Sequence, residues 1–404
     1  MEGRQAQPGT RLLVLGAGPA QLGLLAAARE RGLFVIAVDR DPAAPGFAYA
    51  DRRALLSAED ERGIEQLGRA EAVDGVIAPG IDWPVAIAAR IAERLGLPHP
   101  LEPAVAALAT SKLRQRERFE AAGVAQPRWK VVNGPDDELG FPCVVKAPDR
   151  QGQRGLSLVR RPEDLPGAVA AALEAARSKV CLVEELVEGP EVTVNAFSVE
   201  GLFHPLTVTD RLTAEPPAFG VALAHGWPSE APDPDGAAAA AEQAARALGI
   251  RDGPTYTQVR IGADGPKVVE LAARLGGGHD AELCRAALGV DLNGLALAAA
   301  LGESIDRAAL LPRRGAGGAC VRFLVPPEGE LREIDGVEEA RALDGVVDVL
   351  VYRAPGYRFG PLRRGADRAG AVIAVGSDRD DALDRAARAL ERIRLETVAP
   401  ATVT

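Results

Sequence analysis

Of the 47 basic residues only five are lysines, and two of these, Lys112 and Lys146, stand where phosphate chemistry would want a compact ammonium instead of a planar fork. Lys112 opens a helical stretch in T-S-K-L-R-Q-R. Lys146 ends an apolar strand in F-P-C-V-V-K, and the loop P-D-R-Q-G-Q-R-G follows before a strand resumes at Leu156. A long glycine-containing hairpin tip is a poor structural device and a good lid over phosphates. Its backbone N–H groups, around Gly155, and the Arg154 guanidinium can reach β- and γ-oxygens while Lys146 sits beneath the α-phosphate.

Two acidic segments follow. In C-L-V-E-E-L-V-E-G-P-E-V-T-V, Glu184, Glu185 and Glu191 flank a G-P turn between apolar strands. A strand leaving its sheet there exposes an N–H and a C=O to an adenine edge, and a carboxylate a few residues on can accept from ribose hydroxyls. The competing reading is a solvated strand end. In Y-T-Q-V-R-I-G-A-D-G-P-K-V-V-E-L-A-A-R-L-G-G-G-H-D, Gln258 and Glu270 are twelve positions apart across an A-D-G-P turn. That spacing can bring them side by side on adjacent strands, facing one metal. Arg274 follows Glu270 by four, and then comes the triple-glycine loop with Gly276 and Gly277. A carboxylate, a guanidinium and a close-approach loop suit Mg²⁺–phosphate chemistry.

The elements that must position these groups fall into three regions. Apolar runs at 11–15, 33–38 and 75–78, alternating with helical stretches at 21–31 and 84–95, predict a parallel sheet covered by helices, closing near Pro103. From about 108 to 310 the pattern predicts strands at 142–147, 155–159, 180–185, 191–199, 203–209, 255–261 and 266–271. Helices are predicted at 112–122, 163–177, 236–248 and 280–288, the third an alanine-rich tract stopped by glycine. The region 311–404 opens with P-R-R-G-A-G-G and carries strands near 319–324, 346–352 and 371–375 and a last helix at 380–395.

Composition excludes several classes. The net charge is −10 and no basic stretch is interleaved with aromatics, which argues against a nucleic-acid partner. No apolar run reaches the length of a membrane span, and the first ten residues lack the apolar core of a signal peptide. Cys143, Cys181, Cys284 and Cys320 are far apart and show no C-x-x-C spacing, so they read as buried thiols in a reducing cytoplasm.

Another glycine loop, L-G-A-G-P-A-Q-L-G, lies between a strand and a helix with Gly16, Gly18 and Gly23, and Asp39 ends the next strand. It resembles a dinucleotide fingerprint, but Gln21 occupies the place of the third glycine. A tight turn ending the first strand is the better reading, and an NAD-dependent enzyme the weaker one.

Taken in order, Lys112, Lys146 with its loop, E-E-L-V-E-G-P-E and V-V-E-L-A-A-R resemble the ATP-grasp superfamily of carboxylate–amine ligases. The N-terminal region is similar to the Rossmann-like pre-ATP-grasp domain of biotin-carboxylase-like and purine-pathway members. The tail, V-R-F-L-V-P-P-E-G-E-L-R-E-I-D-G-V with D-R-A-G-A-V-I-A-V-G, is similar to the C-terminal region of the L-amino acid ligases. The resemblance therefore implies an α/β and α+β multidomain chain: a pre-ATP-grasp domain over 1–107, an ATP-grasp fold over 108–310 with its lid at about 141–187, and a small α/β domain over 311–404. It implies Lys112 and Lys146 on ATP phosphates, with Arg154, Gly155 and Glu184 nearby. Adenine would pair with backbone groups of Glu185 and Val187, with Leu186 also at the nucleotide, and the ribose would lie on Glu191. Mg²⁺ or Mn²⁺ would sit on Glu270 and Gln258, with Arg274 steadying the acyl phosphate.

Two departures matter. The family usually has glutamate at Gln258 and asparagine at Ala272. An amide ligates a hard cation more weakly, and alanine offers no oxygen. The leading expectation is an ADP-forming ligase that activates a carboxylate as an acyl phosphate and joins it to an amine. A nucleotide-binding protein without ligase activity is the alternative that Gln258 and Ala272 motivate. The stretch 207–229 lies between predicted strands and is expected to line the acceptor pocket with Asp210, Arg211, His225 and Trp227, which Asp82 would face. No side chain there separates an amino acid from a purine precursor or a secondary metabolite. The resemblance also allows a homodimer.

Overall fold

A computed structural model describes residues 9–132, 139–216, 218–313 and 315–398. Most of the first ten residues, read above for a signal peptide, and Arg314 in the P-R-R-G segment lie outside the described residues.

The N-terminal unit runs β1 (Arg11–Leu15), α1 (Leu22–Glu30), β2 (Phe34–Asp39), β3 (Arg52–Leu55), α2 (Glu61–Ala70), β4 (Gly75–Ile77), α3 (Asp82–Leu95) and α4 (Pro103–Ala109). Its strands are parallel in the order β3-β2-β1-β4. β1 and β2 are covered on both faces and so read as unbroken apolar runs. The edge strand β3, R-R-A-L, exposes its arginines and carries no apolar signal.

The next elements are α5 (Lys112–Ala122), β5 (Trp129–Val132), β6 (Cys143–Lys146), β7 (Ser157–Val159), α6 (Leu165–Ala175) and β8 (Cys181–Glu185). The four strands form a small antiparallel sheet, β5-β8-β6-β7, packed on α6 through its own apolar cluster of Val145, Val169, Cys181 and Val183. This is the lid. Then come β9 (Glu191–Val199), β10 (Leu202–Thr213), β11 (Ala222–Trp227), α7 (Pro234–Leu248), β12 (Gly253–Gly262), β13 (Gly265–Ala272), α8 (Asp280–Leu288) and α9 (Leu292–Ala300). The alanine tract is α7, capped by Asp233 and closed by Gly249 at φ 78°.

The last elements are β14 (Gly318–Leu324), β15 (Gly329–Asp335), α10 (Val337–Arg341), β16 (Val346–Val351), β17 (Arg358–Phe359), β18 (Gly370–Gly376), α11 (Arg379–Arg392) and β19 (Arg394–Val398). Three of them complete an eight-stranded sheet, β13-β12-β9-β10-β11-β14-β18-β16, which thus crosses the expected boundary near 311. β17, β15 and β19 form a separate small sheet.

Two expectations are corrected. The stretch 207–229, expected to lie between strands, is mostly strand itself, in the β10–β11 hairpin. The alternation T-V-T-D-R-L-T continues the strand to Thr213, and register pairs Arg211 with His225. The final helix stops at Arg392; I-R-L-E-T-V beyond it alternates with period two and forms β19. The N-terminal unit is not loosely tethered. Leu13, Ile36 and Val76 share one apolar core with Val192, Ala241, Val259 and Leu271.

Candidate active site

Between the four-stranded sheet with its loop and the face of β12 and β13 lies a cleft whose lining also includes Asp82 of the N-terminal unit. Ser111 caps α5 by accepting from Arg114 N, which places Lys112 in the first turn. Its ammonium reaches Glu270 Oε1 at 2.7 Å and donates to the Arg150 carbonyl of the lid loop at 2.8 Å. Burial pulls the Lys112 pKa down, but the carboxylates of Glu270, Asp82 and Glu184 outweigh it and the net displacement is upward.

Lys146, at the end of β6, is 2.7 Å from Glu184 Oε2, and Arg116 Nε is 2.7 Å from Glu184 Oε1. For Lys146 burial dominates, aided by the Arg116 and Lys112 charges against the pull of Glu184, and its pKa falls to about 8. Both Glu184 oxygens are engaged by protein cations, and the side chain is 2% exposed. This carboxylate holds Lys146 and Arg116 in place. Removing one member of such a buried network costs roughly 3–5 kcal/mol, because it leaves a charge uncompensated.

The neighbouring glutamates are also anchored. Glu185 pairs with Lys267 at 2.8 Å and Arg128 at 2.6 Å. Burial raises its pKa, but these hydrogen bonds win and hold it near 2. Its N–H donates to the Arg128 carbonyl, so it can offer an adenine edge only its own carbonyl. Leu186 and Val187 line the cleft, and the Val187 carbonyl accepts from Arg260. Glu191 is buried between Arg211 and Arg260, the latter at 3.1 Å. Burial opposes its ionisation, and the two guanidinium groups more than offset that.

Gln258 and Glu270 are register partners across the β12–β13 hairpin. Ala272, buried further along β13, adds no oxygen. Among the described residues no group of three or more His, Cys, Asp or Glu is arranged to hold a metal. One carboxylate beside one amide fits a hard cation that keeps waters and takes most of its ligands from phosphate. Arg274, just past β13, donates from Nε to Asp82 Oδ1 at 2.6 Å and from Nη1 to the Leu275 carbonyl at 2.7 Å. Burial lowers its pKa, and Asp82 and Glu270 reverse the sign. Arg154 lines the cleft from the lid loop and has no carboxylate ion pair among the described residues. Burial and the like charges of Arg150, Arg364 and Arg177 depress its pKa.

The structure does not bring every expected residue to the cleft. Gly155 packs the base of the loop, where a Cβ would meet Ala175 at 2.8 Å. Gly276 lies against Asp280, and a Cβ on Gly277 would lie 3.6 Å from Ala20 and Gly80. His225 is 2% exposed on β11, edge-on to Phe323, with Nδ1 making no hydrogen bond, 3.6 Å from Asp280 Oδ1, and its pKa driven by burial to about 4. Asp210 is committed to Arg379 and Ser229, and Trp227 lies outside the cleft lining. Tyr256 and Arg260 are cleft residues that the sequence reading passed over, although their period-two spacing with Gln258 puts all three on one face of β12. Arg116 and Lys267 were hidden because their partners lie far away in the chain.

The N-terminal glycine turn is closed. A Cβ on Gly16, at φ 106°, would meet Gln21 Cδ at 3.0 Å, and Gln21 itself is 1% exposed. Both Asp39 carboxylate oxygens accept from backbone, the N–H groups of Ala17 and Asp41. The turn reading stands over the NAD reading.

Comparison with known proteins agrees with this geometry. Residues 139–282 match the ATP-grasp domain and residues 322–398 match the L-amino acid ligase C-terminal domain 2. The chain therefore carries an ATP-grasp domain. Beyond it lies the match to the C-terminal domain of the L-amino acid ligases. It is 29% identical over 388 residues to the uncharacterized protein y4rH of Sinorhizobium fredii, covering 91% of this chain and 78% of that one. It is 28% identical over 412 residues to a formate-dependent phosphoribosylglycinamide formyltransferase of Burkholderia vietnamiensis, covering 95% of each. The L-amino acid ligase structure from Bacillus licheniformis shares the fold with a TM-score of 0.83 at 20% identity, covering 97% of this chain and all of that one. ATP-grasp ligases use ATP and Mg²⁺. Among the described residues no helix is long and apolar enough to cross a membrane.

Proposed function

We propose that this ATP-grasp ligase activates a small-molecule carboxylate as an acyl phosphate, releases ADP, and transfers the acyl group to an amine to give an amide. The observation that carries this is the meeting point at Lys112, whose ammonium bridges Glu270 and the backbone of the lid loop. Phosphate-binding cation, metal-binding carboxylate and lid converge there.

In this reading Lys112 and Lys146 bind phosphate oxygens, with Lys146 held up by Glu184. Glu191, fixed by Arg211 and Arg260, meets the ribose. Leu186, Val187 and the Glu185 carbonyl meet the base. Glu270, assisted by Gln258, holds Mg²⁺, which supplies charge neutralisation when bound. Arg274 stabilises charge on the carboxylate as it becomes an acyl phosphate. The protein's contribution is position and electrostatics. The acceptor site, with Asp82 at its edge, takes a small amine. The four cysteines are free thiols, which supports a cytoplasmic setting.

The test is ADP release from Mg·ATP against a panel of carboxylates and amines, with Lys146→Ala alongside. ADP release that requires one carboxylate and is lost in the variant supports the ligase; release unchanged in Lys146→Ala refutes it. Ala272 favours a second reading, nucleotide binding without ligation. Under that reading Gln258→Glu with Ala272→Asn switches activity on, whereas in a working ligase the same pair changes the rate only modestly.

A further inference from the structure

The lid loop does more than cover the cleft, because it also touches the N-terminal unit. Gln151 Oε1 accepts from the backbone N–H of Asp82 at 2.6 Å. Asp82 is the first residue of α3, and its N-cap, Ile81, has no side-chain acceptor. The first N–H groups of a helix have no partner inside it, so the lid supplies the cap this helix lacks. A second contact seats the same edge. Arg177, just after α6 in the lid, pairs with Glu59 and stacks on Trp83 at 4.4 Å. It is tied to the loop base through Asp149, which accepts from the N–H groups of Arg177 and Ser178. The Asp82 carboxylate meanwhile accepts from Arg274 Nε at 2.6 Å. One residue thus joins the lid through its backbone and the reacting end of the cleft through its side chain.

We propose that Asp82 is a positioning residue that couples seating of the lid to the aim of Arg274, with Gln151 as the lid's contact. When Gln151 withdraws, the Asp82 N–H turns to water and the first turn of α3 loosens. The carboxylate that orients Arg274 then loses its fixed origin. The guanidinium reaches its productive orientation only under a seated lid, so carboxylate activation follows closure. This inference rests on the ligase reading.

The experiment combines amide hydrogen exchange in Mg·AMP-PNP with steady-state ADP release, on Gln151→Leu, Gln151→Glu, Asp82→Asn and the Gln151→Leu/Asp82→Asn double variant. Gln151→Leu is expected to speed exchange several-fold in the first turn of α3 and in residues 150–156. It is expected to lower kcat about 10-fold to 100-fold, the scale of a misplaced catalytic group, with KM for ATP within twofold. Gln151→Glu, which still offers an acceptor, restores both. Asp82→Asn leaves exchange of the lid peptide at the wild-type rate and lowers kcat to a similar degree. The double variant is no worse than the poorer single one. Losses that multiply in the double variant overturn the coupling, as does a Gln151→Glu protein no better than Gln151→Leu. A wild-type chain that binds nucleotide and releases no ADP with any carboxylate overturns the ligase reading and with it the role given to Arg274. Exchange at α3 then still decides whether Gln151 caps the helix.

Discussion

The two glycine loops look alike in sequence and are opposites in space. In the N-terminal turn the room that the missing side chains leave is taken. Gln21 lies over Gly16, and a Cβ on Gly23 would fall within 1.3 Å of Glu282 Oε1. In the lid, Gly152 has nothing within 4 Å of where a Cβ would stand, and Arg154 beside it has no carboxylate partner among the described residues. A glycine motif therefore announces close approach without naming what approaches. In the first loop the protein is its own ligand; in the second the space at Gly152 stays open.

The most direct way to break this contrast is at the cleft that the open loop covers. Lys146→Ala and Glu270→Ala are each expected to lower ADP release on the order of 10²–10³-fold, with the thermal transition nearly unchanged in Glu270→Ala and lowered in Lys146→Ala, which strips a cation from buried Glu184; wild-type rates in either would abolish the distinction. In the closed loop the damage should be to stability instead. Gly23→Ala drives a methyl into Glu282 and should cost about 1–3 kcal/mol, as overpacking does, read as a lower Tm. Gly152→Ala, strained only by its φ of 66°, should cost about 1–2 kcal/mol at most and act mainly on KM for ATP.

A pH titration sharpens the comparison next. The Lys146 pKa lies near 8 in the ligand-free protein because of burial, and phosphate oxygens favour its charged form. Affinity for Mg·ATP should therefore be level below pH 8 and weaken by up to about tenfold per unit above it. Lys146→Met should bind weakly without that slope; a wild-type profile flat to pH 9.5 would contradict the assignment. The smallest effect belongs to Gln21→Gly, which completes the dinucleotide fingerprint on paper. It should yield no NAD binding by calorimetry, since Asp39 remains committed to the backbone.

What was legible in the sequence follows the same division. Runs buried on both faces, such as β1, β2 and β9, announce themselves. Strands with one exposed or charged face, β3, β5, β15 and β19, do not, because period-two alternation over four to seven residues blurs into loop or helix. α9 was missed because Gly294 interrupts its apolar run. At the site, residues that would face ATP stood out by type: Lys112, Lys146, Glu270, Arg274. The pairings that hold them were silent, even where a partner, Glu184 or Asp82, was itself singled out. Arg116 reaches Glu184 from 68 positions away and Asp82 reaches Arg274 from 192 away, and no local pattern records such a pairing. His225 was misplaced for a related reason. A histidine between a glycine and an alanine reads as accessible, whereas the neighbouring strand β14 buries it against Phe323.

The continuity of the eight-stranded sheet has an evolutionary corollary. β14 hydrogen-bonds to β11, so residues 318–376 are not an appendage that could be exchanged as a cassette. A chain cut at residue 317 would leave β11 as a raw edge carrying A-L-A-H-G-W, ready to pair with another molecule. Recombination between ligases of this kind should therefore yield working hybrids when β11 and β14 come from one parent, and aggregates when the crossover falls between them.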